Sequence, residues 1–193
     1  MIMNTLTLNI PPSVNLTDEQ FYQLCVANQY WKLELTAKGE LIIMPPTGGS
    51  TGNRNLKINQ QLANWADQDG TGLGFDSSTC FQLPNGAKLS PDVAWIPLIK
   101  WQTLTPEQQD KFPPLCPDFI VELRSPSDSL KDLREKMQDY INNGTRLGWL
   151  INRQNRQVEI YRTCKETEIL DNPTTLSGED VLLNFILDLS VIW

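Results

Sequence analysis

Apolar and polar positions along this chain change period several times, and each change marks an element. Thr17-Asp18-Glu19-Gln20 has the form of a capping box, and the following FYQLCVANQ reads as a short amphipathic helix. LEL and ELIIM flank Thr36-Ala37-Lys38-Gly39, which predicts a hairpin closed by a short loop ending in Gly. The turn-rich stretch PPTGGSTGN, Pro45 to Asn53, reads as a loop leading into a helix from about Asn55 to Asp69. Leu56, Ile58, Leu62 and Trp65 form its inward face, and Gly70 ends it. GFDSSTCFQL has strand character, Asn85-Gly86 is a hairpin turn, and LSPDVAWI is the returning strand. A connection with a short helix opened by Thr105-Pro106 precedes PDFIVELRS, a central strand. That strand feeds a helix from about Ser129 to Asn143, closed by Gly144. RLGWLIN and QVEIYR are two more strands joined by the polar turn RQNR. The tail from Glu166 to Trp193 reads as a strand plus a short docked segment.

This order implies an α/β (α+β) domain with a mixed sheet flanked by helices. At 193 residues the chain can bury one sizeable core, and no repeat or linker divides it. The expectation is a single domain over 1–193, with an N-terminal strand and helix within 1–30 packed on it. No run approaches the length of a membrane span, and MIMNTLTLNIPP lacks the pattern of a signal peptide, so a cytoplasmic location is expected. Cys25, Cys80, Cys116 and Cys164 are widely spaced and form no CxxC pair, which argues for buried thiols over zinc or disulfides.

Histidine is absent, which removes Ser-His-Asp and Cys-His catalysis and His-metal sites together. Acid–base or metal chemistry must then come from carboxylates, lysine, tyrosine or bound water. The net charge of −7 disfavours a polyanionic partner, but the window Arg124–Arg162 carries eight basic and five acidic residues. It is a net +3 against −10 elsewhere, so a basic side could coexist with the acidic total.

The strand PDFIVELRSPSD raises the sharpest question, because Asp118, Glu122 and Arg124 share one face of an apolar run. A carboxylate removed from water costs several kcal/mol unless paired or coordinated. Either Glu122 and Arg124 pair at the strand end, or Glu122 ligates a metal and Arg124 holds a substrate phosphate. Asp92 opens a second apolar run, VAWI, directly after Pro91. If the two strands are neighbours, Asp92 and Glu122 could hold one Mg²⁺ between them, since that ion takes oxygen ligands. The loop PPTGGSTGN lacks the GK[ST] ending of a phosphate-binding loop and reads as a border of the site. Trp95, Trp149 and Trp193 lie in apolar runs and read as core.

Pro91-Asp92 followed by Glu122-Leu123-Arg124 resembles the PD-(D/E)XK nuclease pattern, with Arg where Lys is usual. The wider series GELIIMPPTG, SPDVAWI, PDFIVELRSPSD, LREKMQDYINNGTRLGWLI and QVEIYR resembles the Uma-two family, assigned as bacterial endonucleases and long catalogued as a domain of unknown function. The likeness runs from about Phe21 to Trp193.

The resemblance implies a restriction-endonuclease-like core and metal-assisted hydrolysis of phosphodiester bonds in nucleic acid, DNA above RNA. Asp92 and Glu122 would hold Mg²⁺ or Mn²⁺, with either Glu40 or Glu34 as the upstream acid. Glu40 is preferred because it directly precedes LIIM. Arg124 stays protonated and can only steady charge, so Lys136 is the candidate to replace the motif lysine. Lys136 lies one helical turn from Leu133 and Tyr140, at the edge of the face formed by Leu130, Leu133, Met137, Tyr140 and Ile141. From there it would orient or deprotonate a water, unless it is only a snorkelling surface lysine. Where many relatives carry a histidine before the first long helix, this chain has Asn53 nearby. That substitution, the missing lysine and the acidic total also suit a catalytically inactive nucleic-acid-binding or regulatory module. A homodimer fits the habit of related nucleases of pairing to cut both strands.

Overall fold

The computed structural model describes residues 5–11, 13–14 and 16–193. The reading of a leader-free terminus rests partly on residues 1–4, which lie outside the described residues.

Strand β1 (Leu6–Asn9) and helix α1 (Asp18–Ala27) come first, then the hairpin β2 (Lys32–Leu35) and β3 (Glu40–Met44). Helix α2 (Gly49–Asp69) is followed by β4 (Gly72–Asp76), the short β5 (Phe81–Gln82) and β6 (Lys88–Leu89), and β7 (Val93–Pro97). Helices α3 (Leu98–Trp101) and α4 (Pro106–Asp110) lead to β8 (Phe119–Leu123), α5 (Leu130–Asn142), β9 (Leu147–Asn152) and β10 (Gln157–Arg162). The tail supplies β11 (Glu168–Asp171), β12 (Thr175–Ser177) and β13 (Ile186–Asp188).

The central sheet has the order β11-β10-β9-β8-β7-β4 and is mixed, as expected: β8 and β9 run parallel, and its other pairings are antiparallel. The parallel pair needs a crossover, which α5 provides. One face of the sheet packs Phe119, Val121, Trp149 and Ile151 against Ile58 and Leu62 of α2 and against Leu182, Phe185 and Leu187 of the tail. The opposite face packs Ile120 and Leu150 against Met137 and Tyr140 of α5. A second sheet, β1-β3-β2-β6-β5, closes over Phe21 of α1. Fully burying one such large apolar side chain is worth about 2–3 kcal/mol, so these layers hold the frame stiffly.

Several sequence expectations shift in ways that matter for the site. Helix α2 starts at Gly49, so part of the presumed loop is its first turn, and Leu56 is 62% exposed. The inward face runs through Thr51, Ile58, Leu62 and Ala66, one position out of phase with Leu56. Gly70 closes the helix in the left-handed region, at φ 68°. The run GFDSSTCFQL divides into β4 and β5, and LSPDVAWI divides into β6 and β7. Pro91 has no N–H to donate to a ladder, so the chain leaves one sheet at Ser90 and enters the other at Val93. Cys164 is exposed, whereas Cys80 and Cys116 are buried. Among the described residues, no helix is long and apolar enough to cross a membrane.

Candidate functional site

The break between β6 and β7 brings the two sheets together at Ser90-Pro91-Asp92, where the half-buried Asp92 meets the buried Glu34 and Glu122. Strand β7 pairs with β8 in the register Val93↔Val121, so Asp92 and Glu122 fall opposite each other one step further on. Asp92 Oδ2 accepts the backbone N–H of Leu123 at 2.8 Å, which fixes the carboxylate at the end of β8. Its Oδ1 accepts Asn55 Nδ2 at 2.8 Å. The next turn of α2 adds Asn59, whose Nδ2 lies 3.3 Å from the Asp92 carbonyl.

Glu34 enters from the second sheet. Strand β2 bridges β6 at Leu35↔Lys88, which turns Glu34 toward Ser90. Glu34 Oε1 accepts the Ser90 N–H at 2.9 Å, and Glu34 is 2% exposed. Lys136 of α5 reaches over both acids, with Nζ 2.9 Å from Glu34 Oε1 and 2.9 Å from Glu122 Oε1. It also donates to the Ser90 carbonyl at 3.2 Å, as Lys32 does at 3.0 Å. Its Nζ stands 5.9 Å above the Tyr140 ring. The lysine stem thus runs along the sheet from the helix edge, and its ammonium bridges the two sheets.

The group is short of positive charge and of donors. Lys136 is the one ammonium against Glu122 Oε1, and it divides itself between that oxygen, Glu34 and the Ser90 carbonyl. Asn55 Oδ1 and the Tyr140 hydroxyl are buried without partners. Burial pushes the Glu122 carboxyl up to about 7; the Lys136 ammonium works against this, and the Asp92 and Glu34 carboxylates add to it. Burial disfavours the charge on Lys136, but Glu122 and Glu34 outweigh it and hold its pKa above the ordinary lysine value. Burial also raises the Tyr140 phenol, helped by the charges of Glu122 and Glu34.

The other sequence candidates lie elsewhere. Glu40 opens β3 beside the hairpin turn and accepts Thr36 Oγ1 at 3.0 Å, so the upstream acid beside Glu122 is Glu34. Arg124 turns to the loop after β8, with Nε 3.3 Å from the Asp128 carbonyl and Nη1 3.3 Å from Asn152 Oδ1. Glu122 and Arg124 do not pair; Asp118, at the far end of β8, pairs with Lys100 at 2.9 Å. Asn53 is a residue of α2, and Asn55, two positions on, is the one that reaches Asp92. Asn55 was not anticipated, although Asn55 and Asn59 stand at helical spacing beside Ile58 and Leu62.

Among the described residues, no group of three or more His, Cys, Asp or Glu side chains is arranged to hold a metal ion. In chemistry, the carboxylates of Asp92 and Glu122 and the side-chain oxygen of Asn55, which lacks a donor, are the oxygen type a hard divalent cation takes, but the Lys136 ammonium stands against Glu122. An apolar groove of about 610 Å³, lined by Leu6, Leu8, Leu24, Trp31, Leu41 and Ile43 among others, has no titratable side chain and belongs to no part of this group.

The sequence model of the Uma2 family, described as "Putative restriction endonuclease", matches residues 18–190. No curated protein matches the chain. Among solved structures, one titled as a putative nuclease belonging to DUF820 from Anabaena variabilis ATCC 29413 is similar, with a TM-score of 0.64 and 20% identity. The likeness covers 75% of this chain and 79% of that one, and it establishes a shared fold.

Proposed function

This chain belongs to the Uma2 family, and on that premise we propose that it is a metal-dependent endonuclease hydrolysing phosphodiester bonds of nucleic acid, DNA above RNA. The observation that carries the reading is the meeting of Asp92 and Glu122 across β7 and β8, beside a single lysine shared by Glu122 and Glu34. The buried Glu122 and Glu34 share one lysine, with the half-buried Asp92 beside them, and a bound cation would offset the cost of gathering these charges.

Asp92, Glu122 and the Asn55 carbonyl would hold Mg²⁺ or Mn²⁺. Such an ion, when bound, lowers the pKa of a water and neutralises charge on a phosphate. Asp92 is oriented for this by Leu123 N–H and Asn55, both of which leave lone pairs free on its oxygens. Lys136 stays protonated, so it orients a water or a phosphate oxygen as a donor and does not accept a proton. Glu34 holds that ammonium in place from the other sheet, which makes it a positioning residue. Arg124 is near enough in sequence to steady phosphate charge, but only after leaving Asn152.

The ion pairs of Lys136 with Glu34 and Glu122 favour a second reading, an inactive nucleic-acid-binding module in which the lysine alone neutralises the acids. Purified protein incubated with plasmid DNA and Mg²⁺ or Mn²⁺ separates the two. The endonuclease reading requires cleavage that Glu122→Ala abolishes and that chelation stops. No cleavage by the parent with either metal favours the module, and cleavage persisting in that variant means a different site or a contaminant.

A further inference from the structure

Among the described residues, four arginines at one end of the sheet have no carboxylate partner, and one of them, Arg156, is exposed in the turn between β9 and β10. Arg134, Arg146 and Arg162 each form an ion pair with an acidic side chain. Among the described residues, Arg54, Arg124 and Arg153 complete the four without a carboxylate within ion-pair distance. Their positions are related. Arg124 directly follows β8, Arg153 directly follows β9, and Arg54 precedes Asn55 on α2. They therefore stand at the carboxyl ends of the parallel pair β8 and β9, where the Asp92–Glu122 group also lies.

Arg54 and Arg124 are held without being neutralised. Arg54 Nε donates to the Ile192 carbonyl at 2.6 Å, and its Nη1 donates to Ser50 O at 2.9 Å and Ser50 Oγ at 2.5 Å. Arg124 Nη1 donates to Asn152, the residue before Arg153. Arg153 Nε is buried with no acceptor at all. Burial lowers the pKa of Arg153 and the nearby positive charge of Arg54 lowers it further, so two like charges are brought together around an unmet donor. In a chain of net charge −7, the missing component is an anion.

We propose that Arg54 and Arg153 form a phosphate-binding subsite that grips the nucleic-acid backbone beside the Asp92–Glu122 group, with Arg124 closing it from the neighbouring strand. Guanidinium forks match phosphate oxygens in pairs, so the subsite positions a strand without reading bases. This rests on the nucleic-acid reading above but does not require cleavage.

The test is fluorescence anisotropy of a labelled 20-base-pair DNA duplex bound to full-length Glu122→Gln protein in EDTA, over a series of KCl concentrations. Arg54→Gln and Arg153→Gln should each weaken binding about tenfold and flatten the salt dependence by about one phosphate's worth, near 0.9 in slope. Arg153→Lys should recover part of the affinity, and Lys131→Gln, on an exposed stretch of α5, should change nothing. Thermal melts of every variant show whether the fold survives; if Arg54→Gln unfolds, the Arg153 pair decides alone. Unchanged affinity and slope in Arg153→Gln overturn the subsite, as does a folded parent that binds no duplex. A parent that binds through these arginines while wild-type protein fails to cleave leaves the subsite standing and removes the endonuclease reading.

Discussion

Two buried glutamates lie on the same face of the central sheet, and α5 sends a cation to each. Glu159 of β10 receives Arg134 twice through Nε, at 2.9 and 3.0 Å, once through Nη2 at 2.6 Å, and the Tyr161 hydroxyl at 2.7 Å. Its charge is met and both oxygens have donors. Glu122 of β8 has a single ammonium, which it shares with Glu34, although it is equally hidden from water. One arrangement has a full set of donors for one acid; in the other, one lysine serves two acids. Burial of an acid therefore says little about function until its donors are counted.

The largest expected difference between the two is in chemistry. Glu122→Gln should lower metal-dependent cleavage on the order of 1000-fold, while leaving stability equal or higher because a dry charge is removed. Arg134→Ala should do the reverse: cleavage within a few-fold of the parent, and a loss of about 3 kcal/mol in urea unfolding as Glu159 is left uncompensated. Equal effects on both properties in both variants would erase the distinction.

A pH series sharpens it. The Glu122 carboxyl is raised from 4.5 to about 7 in the fold, so between those values the native protein holds a proton that the unfolded chain has released. The sign follows: its contribution is complete below about pH 4.5 and is lost as pH rises through 7. In EDTA, wild-type protein should lose about 3 kcal/mol relative to Glu122→Gln between pH 4.5 and pH 8, measured by urea unfolding at each pH. A constant difference across the series would mean that Glu122 titrates normally. The smallest effect belongs to Tyr161→Phe, which removes one of several donors from Glu159 and should cost about 1 kcal/mol with cleavage unchanged.

Much of the frame was legible because period and capping are local. The capping box at Thr17, the short helix opened by Thr105-Pro106, the Asn85-Gly86 turn and the apolar run of β8 all lie where the pattern puts them. The apolar strands next to Asp92 and around Glu122 were also legible, but their adjacency entered only as a condition, which the register Val93↔Val121 meets. Choosing between Glu34 and Glu40 was not legible, because both border short apolar strands. What separates them is the single β2–β6 bridge at Leu35↔Lys88, a contact between distant residues. The division of LSPDVAWI between two sheets was hidden for a similar reason, though Pro91 signals it. Arg134 with Glu159 and Asn55 with Asp92 are likewise long-range pairs, invisible to a reading of one element at a time.

The most direct measurement is an electron paramagnetic resonance titration of Mn²⁺ against wild-type protein, Glu122→Gln and Arg134→Ala, with each shown to be folded. The account predicts a bound ion in wild-type protein and in Arg134→Ala, and its loss in Glu122→Gln. Equal Mn²⁺ binding by all three, or none by wild-type protein, would contradict it.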